Sequence, residues 1–290
     1  MPTPHPAERL RDAINKAGSP VCVGLDPVFE NLPEELRARH HEPTPAIAEF
    51  CRGVLAACVG QIPAVKFQSA CFERYGSRGF AALEETMAEA ARLGLVVLWD
   101  AKRGDISTSA SHYAAAAVRL HAHWVTASPY LGSSGMTPFL DAGLGVFALV
   151  RTSNPDSDAI QNQRLADGGT VAEMVARHVA GLGGASRSPS GLSALGAVVG
   201  ATKSADAAAL RALMPDQVFL IPGYGAQGGT ADDIRAMLRI SFQSAGDAGV
   251  LVTASRSVIY AKPAPGEDWQ AAIRSAAAKF AREVADVLPR

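Results

Sequence analysis

Eight short apolar runs recur along the chain, and each is followed by a stretch with helical spacing. The runs are continuous rather than alternating in polarity, which is typical of parallel strands buried on both faces. Alanine-rich segments such as SRGFAALEETMAEAARLG and TVAEMVARHVAGLGG separate them. The predicted strands are 21–26, 64–68, 95–102, 124–130, 146–153, 195–201, 218–223 and 250–255.

Eight strand–helix units predict an α/β fold, a single (β/α)8 TIM barrel with parallel strands. Such a barrel typically takes about 250 residues, and the chain has 290. We therefore expect one domain over 1–290, with the barrel proper at about 20–288, because no shift in composition divides the chain. An open doubly wound sheet is the alternative fold.

Composition argues against several classes of function. Lysine and arginine number 27 and aspartate and glutamate 28, giving a formal net charge of -1, so we expect no nucleic-acid or membrane-surface partner. No apolar run approaches the ~20 residues that span a bilayer, and the polar, proline-rich start does not resemble a secretion signal. The four cysteines lack CxxC or His/Cys metal spacing, which predicts reduced thiols in a cytoplasmic protein without a metal site.

Polar side chains gather where the predicted strands end, the place where active sites of this fold lie. Asp26 ends the first strand, and Lys66 lies in the second. The third strand runs into Asp100, Lys102 and Asp105. Residues two apart in a strand share a face, so Asp100 and Lys102 can both point into the barrel mouth. A structural ion-pair network is the alternative, but desolvating such ions costs several kcal/mol each, which favours a fixed electrostatic device for chemistry.

A glycine-rich loop follows the seventh predicted strand. It contains GYGAQG (223–228), which matches G-x-G-x-x-G, but a dinucleotide-binding motif would not stand one strand from the end of the fold. A phosphate cradle from the last two loops is the better interpretation. Gly223 and Gly225 would let backbone N–H groups approach the anion, and Arg256 would add a cation. Plain turn glycines and a surface salt bridge at Arg256 are the alternatives.

Six motifs at the strand ends together resemble the orotidine 5′-phosphate decarboxylase family, in its bacterial branch with longer chains. The third strand ends in DAKRGDI (100–106), similar to the D-x-K-x-x-D-I signature of that family. The others are GLDP (24–27), VKFQ (65–68), SPYLG (128–132), TSNP (152–155) and PGYGAQGG (222–229). The resemblance covers about residues 20 to 260. By itself, D-x-K-x-x-D also marks sister enzymes that act on sugar phosphates.

The resemblance implies decarboxylation of orotidine 5′-phosphate to uridine 5′-phosphate in pyrimidine biosynthesis, by a homodimer that needs no cofactor. It implies that Lys102 protonates C6 of the pyrimidine and that Asp100 faces the substrate carboxylate. Lys66 would tie this charge network to the ribose. Asp105 would reach into the site of the neighbouring subunit.

The resemblance also implies further substrate contacts. Asp26 would bind the ribose hydroxyls, and Ser153 would read the edge of the pyrimidine. Gln227, the amides of the glycine loop and Arg256 would hold the phosphate. Ser109 stands where many members have threonine. It keeps the hydroxyl group that, in the family, would contact the ribose bound to the neighbouring subunit.

Three other functions are compatible with parts of this pattern. A magnesium-dependent decarboxylase or aldol-type synthase on a sugar phosphate is the first, although we would expect a carboxylate in place of Lys66. An aldolase with a Schiff base on Lys102 is the second. A barrel that binds a nucleotide phosphate without catalysis is the third, and it would not require a lysine between Asp100 and Asp105.

Overall fold

The computed structural model describes residues 4–166, 168–225 and 228–289, and its centre is a closed barrel of eight parallel strands in chain order. This confirms the predicted TIM barrel, and the open-sheet alternative is wrong. The strands are β1 (Val21–Leu25), β2 (Ala64–Gln68), β3 (Val96–Arg103), β4 (Trp124–Ala127), β5 (Gly145–Arg151), β6 (Leu195–Val199), β7 (Phe219–Ile221) and β8 (Val250–Ala254).

Helices follow the strands and cover the outside of the barrel. They are α1 (Pro6–Ala17), α2 (Glu34–Arg39), α3 (Pro43–Cys58), α4 (Ser69–Glu73), α5 (Gly76–Arg92), α6 (Ser107–Arg119), α7 (Thr137–Asp141), α8 (Asp158–Gln161), α9 (Val171–Gly183), α10 (Ser204–Leu213), α11 (Ala231–Arg235), α12 (Arg256–Ile259) and α13 (Trp269–Ala285). Within the described residues, no helix is long and apolar enough to cross a membrane.

Helix α1 covers the amino-terminal end of the barrel. Its Leu10 and Ile14 belong to the same buried apolar cluster as Leu98, Trp124 and Phe147, which fill the barrel interior. The rings of Trp124 and Phe147 stack with centroids 4.4 Å apart. Because this end is closed by packing, a ligand can reach the interior from the carboxyl ends of the strands.

Strand β3 leaves regular pairing near its carboxyl end. Trp99 pairs with Val125 of β4, but the next paired residue is Arg103, opposite Ala127. The intervening residues 100–102, here called the β3 arch, therefore bulge out of the ladder with β4. Lys102 in the arch has a φ of 46°, a left-handed conformation that is strained for a residue with a side chain. The irregularity therefore includes Asp100 and Lys102, which are predicted from the sequence to be active-site residues.

Candidate active site

A cavity of about 500 Å³ lies at the carboxyl ends of the strands. Its size is that of a site for a small organic ligand. It is lined by residues from across the barrel, among them most of the predicted site residues: Asp26, Lys66, Asp100, Lys102, Ser153, Gly223 and Arg256. Segments far apart in the chain thus meet at one mouth, as the barrel interpretation predicts.

Four charged side chains form an alternating row across the floor of this cavity. Lys66 Nζ lies 3.0 Å from Asp26 Oδ1 and 3.1 Å from Asp100 Oδ2. Lys102 Nζ lies 2.6 Å from Asp100 Oδ1. The row forms because β2 and β3 pair with Gln68 opposite Asp100. The side chain of Lys66 is 8% exposed and that of Lys102 is 49% exposed, so Lys102 is the ammonium group that a ligand meets.

Asp100 is the most heavily restrained member of the row. Besides the two lysines, its carboxylate accepts hydrogen bonds from Thr126 Oγ1 at 2.8 Å and Gln68 Nε2 at 3.2 Å. Burial alone would raise the pKa of Asp100, but the ammonium groups of Lys66 and Lys102 outweigh it and hold the pKa far below its usual value. The carboxylate is therefore ionised and fixed in direction at neutral pH.

Lys66 is charged for the complementary reason. Burial would lower its pKa, but the carboxylates of Asp100 and Asp26 on either side raise it above the ordinary lysine value. An ammonium group enclosed in this way is a poor proton donor. Lys66 can orient its neighbours, whereas the more exposed Lys102 can deliver a proton to a ligand.

Thr126 of β4 is a site residue that we did not identify in the sequence. Its hydroxyl accepts a hydrogen bond from the backbone N–H of Lys102 at 2.9 Å and donates to Asp100 at 2.8 Å. One buried hydroxyl thus holds the β3 arch and the carboxylate together. A signal was present, since Thr126 is a polar residue between the apolar Val125 and Ala127 of the predicted strand.

Contacts from the segment that follows β8 position the loop that carries Asp26. The hydroxyl of Tyr260 accepts from Val28 N at 2.8 Å and donates to the Asp26 carbonyl at 3.2 Å. Gly24 of β1 lies against the loop after β8, where an added Cβ would stand 1.9 Å from Ser255 Oγ. The first and last loops of the barrel are therefore interlocked beside Arg256.

The loop after β5 carries Ser153, and the buried side chain of Arg151, the last residue of β5, holds it in place. Arg151 Nη1 lies 2.6 Å from Asp158, and its Nε donates to Asp206 at 2.7 Å. The side chain of Gln161 exchanges hydrogen bonds with Thr152, at 2.8 Å to its backbone N–H and at 2.9 Å to its hydroxyl. We did not identify Arg151 or Gln161 in the sequence, because Arg151 reaches Asp206 on α10 and Gln161 contacts Thr152 only once this loop has folded back on itself.

The far side of the mouth has the features of an anion site. Gly223 and Gly225 have φ values of 94° and 68°, which side-chain-bearing residues rarely adopt. Arg256 begins α12 with its side chain exposed, and it forms no ion pair with the part of the chain that the structure describes. Gly225 is not among the residues that line the cavity. Gln227 lies outside the described residues.

Two predicted residues do not line the cavity of their own chain. Asp105 lies past the β3 arch, where its carboxylate accepts from the backbone N–H of Ile106 at 2.8 Å. Ser109 is exposed in the first turn of α6. Neither contributes to the mouth formed by this chain. Over the described residues, no group of His, Cys, Asp and Glu is arranged to hold a metal ion.

A closed (β/α)8 barrel with an Asp–Lys–Asp–Lys row in its mouth defines an enzyme with an electrostatic active site. The model of the orotidine 5′-phosphate decarboxylase / HUMPS family matches residues 19–272, and the chain belongs to this family.

Individual relatives support the same assignment. The chain is 38% identical to the orotidine 5′-phosphate decarboxylase of Rhodopirellula baltica, over 93% of this chain and 95% of that one. It is 39% identical to the enzyme of that name from Deinococcus radiodurans, over 90% and 91%. The structure of Leishmania donovani OMP decarboxylase superposes with a TM-score of 0.78 at 31% identity, covering 98% of both chains.

Proposed function

We propose that the chain decarboxylates orotidine 5′-phosphate to uridine 5′-phosphate and CO2 in pyrimidine biosynthesis. The observation that carries this proposal is the fixed charge row ending in the exposed ammonium group of Lys102. Family membership and the decarboxylase names of the relatives support it. The proposed enzyme is cytoplasmic and needs no cofactor.

The chemistry requires stabilisation of charge at one carbon atom. The bond between C6 and the carboxylate breaks, CO2 leaves, and the electron pair stays at C6. The proton on Lys102 Nζ then forms the new C6–H bond. Because Lys102 is already held beside Asp100 at 2.6 Å, its positive charge lies ready for the developing carbanion and favours the transition state over the ground state.

Asp100 would face the departing carboxylate. Two like charges about 4 Å apart at an effective dielectric constant of about 20 repel by about 4 kcal/mol. Enzymes lower barriers by roughly 8–23 kcal/mol, so this repulsion supplies a minor share. The larger share falls to Lys102 and to binding of the remainder of the substrate.

Contacts away from C6 would supply that binding energy. We assign the ribose hydroxyls to Asp26 and Lys66 and the pyrimidine edge to Ser153. The phosphate would lie on the loop of Gly223 and Gly225. Arg256 and Gln227 would complete the phosphate site. The open guanidinium group of Arg256 suits a dianion, for which arginine provides paired donors.

We also propose a homodimer with shared sites. Asp105 and Ser109 lie outside the cavity of their own chain, while exposed apolar side chains, including Ile106 and Tyr130, lie nearby in sequence. Asp105 would enter the partner's cavity across this surface. Mixing Lys102→Ala with Asp105→Ala chains should restore activity, since one site of the mixed dimer would be intact. Two inactive variants whose mixture stays inactive would remove support for sharing.

The sister activities fit the geometry less well. The ammonium group of Lys66 occupies the space between Asp26 and Asp100, at 3.0 and 3.1 Å, where a magnesium-dependent site would place its ion. Activity that survives EDTA, together with no borohydride trapping of substrate on Lys102, would dispose of both sister mechanisms. Loss of activity in EDTA would favour the metal-dependent alternative.

Loss of orotidylate absorbance tests the main proposal. Wild-type protein should turn the substrate over, and Lys102→Ala should be nearly inactive. Lys279→Ala is the matched control, because Lys279 is 73% exposed on α13. No turnover by the wild type, or full turnover by Lys102→Ala, would refute the proposed function.

A further inference from the structure

We propose that Arg103 is a positioning residue for Lys102, and that it acts from behind the strand without touching the substrate. This role rests on the proposed decarboxylation, because Lys102 is the proton donor of that reaction. Arg103 directly follows the β3 arch, and it does not line the active-site cavity. Its side chain is 21% exposed.

The β3 arch is anchored at its two ends by Trp99 and Arg103. Both residues pair with β4, and the arch between them has no regular partner on that strand, although Asp100 still pairs with Gln68 of β2. The carbonyl of Arg103 also accepts from Ser128 N at 2.7 Å. Lys102 can keep its left-handed φ of 46° while both anchors hold, because a strained conformation persists where its surroundings over-determine it.

The two anchors are joined to each other by their side chains. The guanidinium carbon of Arg103 lies 4.8 Å from the ring centroid of Trp99 and 5.2 Å from that of Tyr113, within the range of cation–π attraction. The side chain of Trp99 is itself fully buried. The side chains of Arg103 and Trp99 therefore join the two ends of the β3 arch on the face of the strand opposite Lys102.

A closed set of hydrogen bonds fixes the Arg103–Trp99 pair to the neighbouring segment. Arg103 Nη2 donates to Glu73 Oε1 at 2.7 Å, and Ser69 Oγ donates to the same oxygen at 2.8 Å. Trp99 Nε1 donates to Ser69 Oγ at 3.0 Å. Both Ser69 and Glu73 belong to α4, directly after the strand that carries Lys66. These contacts among Trp99, Ser69, Glu73 and Arg103, here called the circuit, hold the β3 arch against the end of β2.

Loss of this circuit should affect chemistry more than binding. A relaxed β3 arch would move the Lys102 ammonium group from its place beside Asp100. The proposed phosphate site is formed by the loops after β7 and β8, on other strands of the mouth, and Arg103 has no hydrogen bond or ion pair with the described residues of those loops. Lysine cannot replace arginine fully here, because its ammonium group lacks the flat, forked shape that stacks on rings while pairing with a carboxylate.

Steady-state kinetics of Arg103→Met and Arg103→Lys test the proposal. We expect kcat to fall at least 10-fold in Arg103→Met and less in Arg103→Lys. The KM for orotidine 5′-phosphate and the affinity for uridine 5′-phosphate should stay within about twofold of wild type. Arg119→Met is the matched control, since Arg119 is 79% exposed and pairs with Glu84 at 3.2 Å, and its kcat should not change.

A second variant keeps the test valid if Arg103→Met does not fold. Glu73→Gln retains the shape of the circuit and weakens the two bonds that Arg103 and Ser69 donate to Glu73, so it should lower kcat without changing KM. Combining it with Arg103→Lys should cost less than the product of the single effects, because both act through one circuit. An unchanged kcat in these variants, or an equal fall in uridine 5′-phosphate affinity, would overturn the role of Arg103. An inactive wild type would instead refute the proposed function.

Discussion

Replacing Thr126 with valine removes one hydroxyl group from the active site and leaves the shape of the side chain almost unchanged. That hydroxyl donates to Asp100 at 2.8 Å and accepts from the Lys102 backbone at 2.9 Å. Thr126 is 1% exposed, so water cannot easily take its place. The substitution therefore acts on the two residues that we assign to the reacting carbon.

The size of the effect follows from the two hydrogen bonds. A bond to a charged group contributes about 1.5–3 kcal/mol and an ordinary one about 0.5–1.5 kcal/mol, so together the two bonds contribute about 2–4.5 kcal/mol. Both bonds hold Asp100 and Lys102 in the geometry that the transition state needs. If about 2 kcal/mol of this is lost there, kcat falls about 30-fold. Substrate KM should change little, because the proposed phosphate site is untouched.

The assay is kcat and KM from the loss of orotidylate absorbance, with urea unfolding to confirm that the variant is folded. Thr126→Ser is the matched control, because it keeps the hydroxyl and should stay within about threefold of wild type. A kcat for Thr126→Val within about threefold of wild type would show that the hydroxyl does not hold the catalytic pair. Equal losses in both variants would point to packing of the methyl group instead.

Three further predictions concern stability and loop geometry. Arg211 is buried and donates to four backbone carbonyls at 2.8–2.9 Å, so Arg211→Met should lower the free energy of unfolding by about 3 kcal/mol or more; an unchanged urea midpoint would contradict this. The lowered pKa of Asp100 adds stability that is present above about pH 4 and lost as the pH falls below it, at up to about 1.4 kcal/mol per pH unit. Urea titrations at pH 4 and 3 should show a smaller loss for Asp100→Asn than for wild type, and equal losses would refute the shift. In Gly24→Ala, the new Cβ would clash with Ser255 Oγ at 1.9 Å, so KM should rise as the phosphate loop moves, and wild-type kinetics would argue against this tight contact.

The strands could be predicted from sequence because each is buried on both faces and reads as a continuous apolar run. The ends of the strands were less accurate. The fourth strand stops at Ala127 rather than at residue 130, because Pro129, which has no N–H for the ladder, begins a 3-10 turn. The third extends to Arg103, one residue past its predicted end, beyond the β3 arch.

The charged row was predictable because its members obey local rules of strand spacing. Asp100 and Lys102 are two residues apart, and Lys66 lies on the neighbouring strand. The supporting contacts follow no such rule. Tyr260 holds the loop of Asp26 from 234 residues away in the chain, and the arch at Lys102 depends on how β3 and β4 pair. A single sequence contains no pattern that links such positions.

The dependence of C6 protonation on Lys102 tests the central claim most directly. In D2O the ammonium group of Lys102 exchanges its protons for deuterons, so decarboxylation should give uridine 5′-phosphate with deuterium at C6, in amounts equal to the CO2 released. Proton NMR of the product would show the C6–H signal missing, and Lys102→Ala should form almost no product. A wild-type enzyme that releases no CO2 from orotidine 5′-phosphate, or a Lys102→Ala variant that forms deuterated product at the wild-type rate, would contradict the account.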